Sequence, residues 1–232
     1  VERDVKKTKI KICGIRDVDT AKFCAAEGVD FLGIHQIWSP KNSEDICLFN
    51  KNIRLFNEIK SAVGSSTKLV LVTRESNLDN LLNICLTFDF ADYIQMHFPI
   101  STVMLQNFKN MLVKKDCNVG IIAVIRADEI DTTDIRGISN EADYLLFDSS
   151  YHGGTGICLP DDMLSKITLK AGGLDYFLAG GLTPENVSSK ILSSCPFAVD
   201  VQSGVNKDNE KYVKDHKKIQ RFVQAVKETM NL

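Results

Sequence analysis

Eight short, β-branched, apolar runs alternate with longer helical patterns along the whole sequence. The runs are "KIKICGI", "DFLGIHQ", "KLVLVT", "DYIQMH", "VGIIAVIR", "DYLLFDS", "YFLAGG" and "FAVDVQSG". Most are apolar through their centres, the pattern of parallel strands buried on both faces. Between them lie helix signals. "DVDTAKFCAAEG" has acidic residues early and Gly28 as a stop. "TPENVSSKILSS" places Thr183 as an N-cap, Pro184 at the first helical position and Glu185 in the first turn. The closing "DNEKYVKDHKKIQRFVQAVKETM" spaces Tyr212, Ile219, Phe222 and Val226 near the helical period and predicts one long amphipathic helix. The connection after "VGIIAVIR" is the weakest, and "DEIDTTDIRGIS" has room for only a short helix.

Eight βα units without a break in composition predict an α/β protein with a single closed (β/α)8 TIM barrel over residues 9–232, behind a charged N-terminal extension at residues 1–8. A doubly wound open sheet is the structural alternative. No GxGxxG follows the first run, which counts against a dinucleotide site in such a sheet.

The charge pattern excludes several partners. A formal net charge of -2, with both signs interspersed, offers no basic stripe to nucleic acid or to an anionic membrane surface. No apolar run approaches the roughly 18 residues of a spanning helix. The charged opening "VERDVKKTK" is not a signal-peptide pattern and, without an initiator methionine, reads as trimmed or cut from a longer chain. Seven scattered cysteines with no CxxC pair argue against a disulfide framework or a structural zinc site. A reducing, cytoplasmic setting is expected.

In barrels of this kind the active site forms at the C-terminal strand ends. Those ends carry Cys13, then His35 and Gln36, then Thr73 and Arg74. His97, Arg126, Asp148, the Gly180–Gly181 pair, and Asp200 with Ser203 and Gly204 follow. A polar group in an apolar strand is costly unless it is paired or used. Each also has a plain structural reading: a cysteine as a small core hydrophobe, a histidine hydrogen-bonded in place, an aspartate capping the next helix. Their convergence on one ring favours a site. A metal site from Cys13, His35, His97 and Asp148 is a further option, without any recognised short ligand spacing to support it.

Glycines cluster at three successive strand ends, in "HGGTG", "AGG" and "QSG". Such loops let backbone N–H groups close around phosphate oxygens, and the last strands of a barrel are a recurrent place for this. Tight turns alone are the plainer reading.

These motifs resemble the phosphoribosylanthranilate isomerase family, over nearly the whole chain and in order. "KICGI" is similar to that family's first-strand motif, "YIQMH" to its "VQLH", "AVIRA" to its fifth strand and "LLFDS" to its "LLLDS/T". "HGGTG" resembles its phosphate loop, and "FLAGGLTPENV" and "AVDVQSGV" its last two strand ends. The resemblance implies an Amadori rearrangement of a phosphorylated aminosugar, an aminoaldose becoming an aminoketose in tryptophan biosynthesis. It implies no metal and no organic cofactor. Cys13 would be the base and Asp148 the acid, and Asp200 matches a position that contacts substrate. His97 and Arg126, on the matching fourth and fifth strands, are further substrate-binding candidates. Gly154, Gly156, Gly180, Gly181, Ser203 and Gly204 would hold the phosphate. The thiol should then be depressed in pKa by an electropositive setting, and the carboxyl raised by partial burial. A monomer or homodimer is expected.

The sequence departs from the family mainly on the aglycone side. The family's "KSPR" loop after strand two reads "WSPKNSED", leaving Lys41 as the nearest cation in place of an arginine that holds the anthranilate carboxylate. His35 stands where an apolar or aromatic residue is usual. Phe98 and Pro99 replace a glycine and an acidic residue, and "ICLPDD" replaces "KTFDW". A relative acting on a different phosphorylated aminosugar, and a barrel that binds a phosphoribosyl ligand without turning it over, therefore stand as alternatives. Retention of both Cys13 and Asp148 argues against the second.

Overall fold

The structure is a computed structural model, described here for residues 7–36, 43–149 and 159–229. Eight parallel strands close into a barrel in simple sequence order. They are β1 (Lys9–Cys13), β2 (Phe31–His35), β3 (Lys68–Thr73), β4 (Tyr93–Met96), β5 (Gly120–Arg126), β6 (Tyr144–Asp148), β7 (Tyr176–Leu178) and β8 (Ala198–Val201). Each of the eight runs read from the sequence is a strand, and the open-sheet alternative falls with the β1–β8 pairing that closes the ring.

The helices are α1 (Val18–Ala26), α2 (Ser43–Val63), α3 (Leu78–Thr87), α4 (Thr102–Lys114), α5 (Ile135–Glu141), α6 (Asp161–Ala171), α7 (Val187–Ser194) and α8 (His216–Thr229). The short α5 matches the expectation for the weakest connection. Two boundaries differ from the sequence reading. α7 starts at Val187, not Pro184, because Asn186 folds the preceding turn on itself. Its Oδ1 accepts from Thr183 N at 2.8 Å and its Nδ2 donates to Gly181 O at 2.9 Å. The closing segment is not one helix. α8 begins at His216, after Asp215 accepts from the Lys217 and Lys218 amides at 2.8 and 3.2 Å. Tyr212 lies outside that helix at φ 70°, with the Arg16 guanidinium 4.3 Å above its ring. Ile219, Phe222 and Val226 do form the buried face of α8, and only Tyr212 falls outside the helical spacing.

Two apolar layers hold the barrel. One lies between strands and helices and includes Ile12, Leu32, Phe56, Phe88, Phe108 and Phe222. The other fills the barrel with inward residues at alternate positions, as the period of two requires. Phe31, Tyr144, Phe177 and Phe197 close its lower half, with Phe31 and Phe177 centroids 5.1 Å apart and Tyr144 stacked on Phe197 at 4.9 Å. At the strand entrances the aspartates that begin three of the runs act as clamps. Asp30, Asp92 and Asp143 accept from the Ile10, Leu69 and Ile121 amides at 2.9, 2.8 and 2.7 Å. This lower face serves stability, and the polar inward residues are left to the opposite mouth.

Candidate active site

β1 brings Lys11 and Cys13 to the barrel interior on one face, two residues apart. Lys11 is completely buried, and its Nζ donates to Asp200 Oδ2 on β8 at 2.9 Å. Burial alone would push Lys11 down, but the charges of Asp200 and Cys13 hold it above the ordinary lysine value. The other Asp200 oxygen, Oδ1, is buried and has no hydrogen-bond partner among the described residues. A buried acceptor left open in this way is costly, and commonly marks a place for a ligand.

Cys13 Sγ lies 3.3 Å from His35 Nε2 at the end of β2. Gly33 permits this crowding. A Cβ there would come 2.8 Å from Cys13 Sγ and 3.1 Å from Lys11 Nζ. The expected depression of the thiol is not what the barrel produces. Burial pushes Cys13 up, and Asp200 adds to the rise, against the pull of Lys11 and Lys214 in the other direction. The electropositive setting is present, but desolvation of a thiolate outweighs it. His35 keeps part of its surface open to solvent. Its ring is nonetheless set among the groups of the mouth, and burial, followed by the positive charges of Lys11, His97, Arg16 and Arg74, pushes it down to about 4.

On the far side, β4 supplies Gln95 and leads directly into His97, and β6 supplies Asp148. His97 Nε2 is 4.0 Å from Asp148 Oδ2, and both side chains are buried. The Gln95 amide lies 3.3 Å from His97 Nδ1. With that amide donating, the ring proton sits on Nε2 and faces the carboxylate. Gln95 Oε1 is a second buried oxygen without a partner among the described residues. Ser149 Oγ donates to Asp148 Oδ1 at 3.3 Å.

The loops after β7 and β8 are packed together by glycines. Gly180 and Gly181 have φ of 90° and 65°, in the left-handed region. A Cβ on Gly180 would meet Ser149 N and Oγ at 2.9 Å, and one on Gly204 would meet Leu182 O at 2.0 Å. Ser203 and Gly204 lie in a single-turn helix after β8. Lys214 braces the same loop: it is buried, and its Nζ donates to Gln202 O at 2.7 Å and Asn206 Oδ1 at 2.9 Å. Burial lowers it to about 8, against the pull of Cys13 and Asp200. Gly180→Ala should therefore cost about 1–3 kcal/mol, from the strained φ and the displaced Ser149 together. Urea unfolding of the purified variant checks this, and a midpoint equal to that of the wild type would show that Ser149 yields freely.

Among the remaining candidates, Arg126 ends β5 in register with Asp148. Its guanidinium is drawn towards the next loop, with Nε donating to Asp128 Oδ1 at 2.8 Å and Glu129 3.8 Å away. Arg74 is exposed. Lys41, Gly154 and Gly156 lie outside the described residues. Among the described residues, no three His, Cys, Asp or Glu side chains are grouped to hold a metal ion. Nor is any helix among them long and apolar enough to cross a membrane.

Lys11, Gly33, Gln95 and Lys214 were not singled out from the sequence. Lys11 had a signal: it lies two residues before Cys13 in a strand, so it shares the inward face. Lys214 had none, because its segment reads as exposed helix.

The match to known proteins covers the whole barrel. The family model for N-(5'-phosphoribosyl)anthranilate (PRA) isomerase matches residues 10–225. The chain belongs to this family. The N-(5'-phosphoribosyl)anthranilate isomerase of Leptospira interrogans is 30% identical over 233 residues, 99% of each chain. That of Methanoregula boonei is 33% identical over 224 residues, covering 95% of this chain and 97% of the relative. The crystal structure of the Thermus thermophilus phosphoribosyl anthranilate isomerase superposes with a TM-score of 0.72 at 21% identity, over 95% of this chain and 99% of that one. The isomerase fold and the strand-end motifs thus coincide in one chain.

Proposed function

We propose that this chain isomerises N-(5'-phosphoribosyl)anthranilate to the corresponding 1-deoxyribulose phosphate, the Amadori step of tryptophan biosynthesis. The observation that carries the reading is the mouth of this family's barrel, where Cys13 and Asp148 stand at the ends of β1 and β6, each with a histidine beside it. Asp148, in its acid form, protonates the ribose ring oxygen and opens the ring to an iminium. Its place beside His97 and Ser149 keeps it directed inward. Cys13 then takes the proton from the second sugar carbon. The electron pair moves onto the iminium, and an enolamine forms that tautomerises to the ketone. Asp200 Oδ1, buried and open, accepts from a sugar hydroxyl. The fixed Lys11–Asp200 pair orients that oxygen. Acid, base and sugar-hydroxyl acceptor are all side chains of this chain.

The phosphate is held by backbone N–H groups of the loops after β7 and β8, around Gly180, Gly181, Ser203 and Gly204; Gly154 and Gly156, outside the described residues, are assigned to it by the family resemblance alone. The anthranilate carboxylate needs a cation. Lys41, Arg74 and Arg126 are the candidates, and Arg126 would have to leave Asp128 to serve.

Turnover of phosphoribosylanthranilate, followed as loss of its fluorescence, tests the reading directly. No turnover by folded protein would hand the lead to a different phosphorylated aminosugar. Binding then locates the aglycone. A charge-assisted contact to the carboxylate contributes about 1.5–3 kcal/mol, or roughly ten- to hundredfold. One of Lys41→Ala, Arg74→Ala and Arg126→Ala should lose that much affinity for a reduced product analogue and bind inorganic phosphate unchanged. If none does, the aglycone is not anthranilate.

A further inference from the structure

Two buried oxygens stand without a partner among the described residues, and the mechanism above uses one of them. Asp200 Oδ1 takes a sugar hydroxyl, while Gln95 Oε1 has no task. The two share one level of the barrel interior. The ladder leads from Gly33 on β2 through Val70 to Tyr93 on β4, and the tilt of the strands raises the level by about one residue at each strand crossed. Gly33 and Gln95 are therefore level. The same walk leads from Gln95 to Leu146 on β6, and from Leu146 to Asp200 on β8. β4 and β8 stand opposite each other in the ring. Gln95 and Asp200 thus point at the axis from opposite sides, in a layer where Leu146 offers no donor and Gly33 has no side chain.

We propose that Gln95 is a sugar-binding residue, whose Oε1 accepts from the hydroxyl on the third sugar carbon while Asp200 Oδ1 accepts from the hydroxyl on the second. The proposal rests on the reading of this chain as an isomerase of a phosphorylated aminosugar.

A buried acceptor without a donor is costly, and two at one level ask for two donors. A sugar chain supplies them on neighbouring carbons. The amide of Gln95 also reaches towards the reacting groups. Its Nε2 lies 3.3 Å from His97 Nδ1, and His97 Nε2 lies 4.0 Å from Asp148 Oδ2. The head group is therefore near the acid, not down on the apolar floor. The base borders the same space. A Cβ on Gly33 would come 2.8 Å from Cys13 Sγ, so the sulfur overhangs the gap that Gly33 leaves in this layer.

The choice of hydroxyls follows from the positions of base and acid. Cys13 on β1 works at the second carbon, and β8 pairs with β1, so Asp200 stands beside that carbon. Asp148 on β6 works at the ring oxygen, which is bonded to the fourth carbon. The third carbon lies between the two reacting positions, and the acceptor left for it is Gln95, across the axis from Asp200. Such a contact selects sugars with a free third hydroxyl. A 3-deoxy sugar would leave Oε1 buried without a donor, which is how a polar pocket rejects an analogue lacking its hydroxyl.

Open-chain sugar phosphates without an aglycone test this contact apart from the substrate assignment. Wild type and Gln95→Met are titrated with ribitol 5-phosphate and with 3-deoxyribitol 5-phosphate. Methionine keeps the length of the side chain and loses its oxygen. The wild type should bind the first ligand roughly three- to tenfold more tightly, the usual effect of one neutral hydrogen bond. Gln95→Met should bind the two within about twofold of each other, so that losing the residue and losing the hydroxyl are not additive. Gln95→Glu, which restores an acceptor, should restore the preference. The ratio is blind to a general loosening of the barrel, because both ligands meet the same variant. Should Gln95→Met not fold, Gln95→Leu takes its place. A wild type that binds both ligands equally overturns the proposal. So does a Gln95→Met that keeps the wild-type preference, the result expected if a bound water satisfies Oε1 instead. Turnover of phosphoribosylanthranilate is measured beside the titrations. Folded protein that lacks this turnover but loses the preference in Gln95→Met keeps the sugar contact and loses the substrate. Normal turnover with the preference unchanged in the variant loses the contact and keeps the substrate.

Discussion

Cys13→Ser should lower kcat by roughly 10²- to 10⁴-fold, the range a positioned general base contributes. That corresponds to about 2.7–5.5 kcal/mol of transition-state stabilisation. Serine occupies nearly the same volume, and Cys13 packs against an inner layer that includes Phe31, Val72 and Val124, so the barrel should keep its urea midpoint. KM should change little, because the contacts proposed for phosphate and carboxylate lie elsewhere. The cause is chemical. A hydroxyl near Lys11 and His35 is far harder to ionise than a thiol in the same place, and no neighbour compensates. Steady-state kinetics on the variant decide the matter. Near-normal turnover would return Cys13 to a packing role and place the base at another residue of the mouth.

The strands were legible because a closed parallel barrel imposes one demand on every strand: burial on both faces. "KLVLVT" and "VGIIAVIR" meet it with unbroken apolar runs, and both fold as read, over Lys68–Thr73 and Gly120–Arg126. Helix starts were less legible, since they depend on side chains that can serve a turn as well as a cap. Thr183 and Pro184 satisfy the rule for a first turn, but Asn186 reaches back to Thr183 and Gly181 and delays the helix. The site was legible as a set of strand ends, because alternation assigns each inward residue without any knowledge of distance. The ionisation of the thiol was not. Lys11 and Lys214 pull it one way and desolvation the other, and only enclosure in three dimensions decides which prevails. The engagement of Arg126 by Asp128 is similar: both residues are visible in the sequence, but their pairing depends on the turn that follows β5.

Lys11→Met should destabilise the barrel by about 3–5 kcal/mol, the usual consequence of leaving a buried charge without its partner. Lys11 has no exposed surface, and Asp200 is nearly as enclosed. One Asp200 oxygen accepts from Lys11 at 2.9 Å and the other has no partner among the described residues, so the carboxylate depends on this lysine. Arginine is a poor replacement, because Gly33 already brings β2 to within contact of the ammonium. The double variant Lys11→Met with Asp200→Leu removes both charges and should recover much of the loss, as buried ion pairs replaced by apolar residues commonly do. Urea unfolding of the wild type and the three variants supplies the cycle. The dependence on pH follows from the lysine. Its folded value lies above 10.5, so the contribution of the pair is fully present below that pH and is lost only as pH climbs through the folded value. The gap between wild type and Lys11→Met should therefore stay flat from about pH 6 to about pH 9. A loss under about 1 kcal/mol in that window would mean that Asp200 finds a proton or water on its own, and that the lysine beneath Cys13 is not needed to hold the floor of the site.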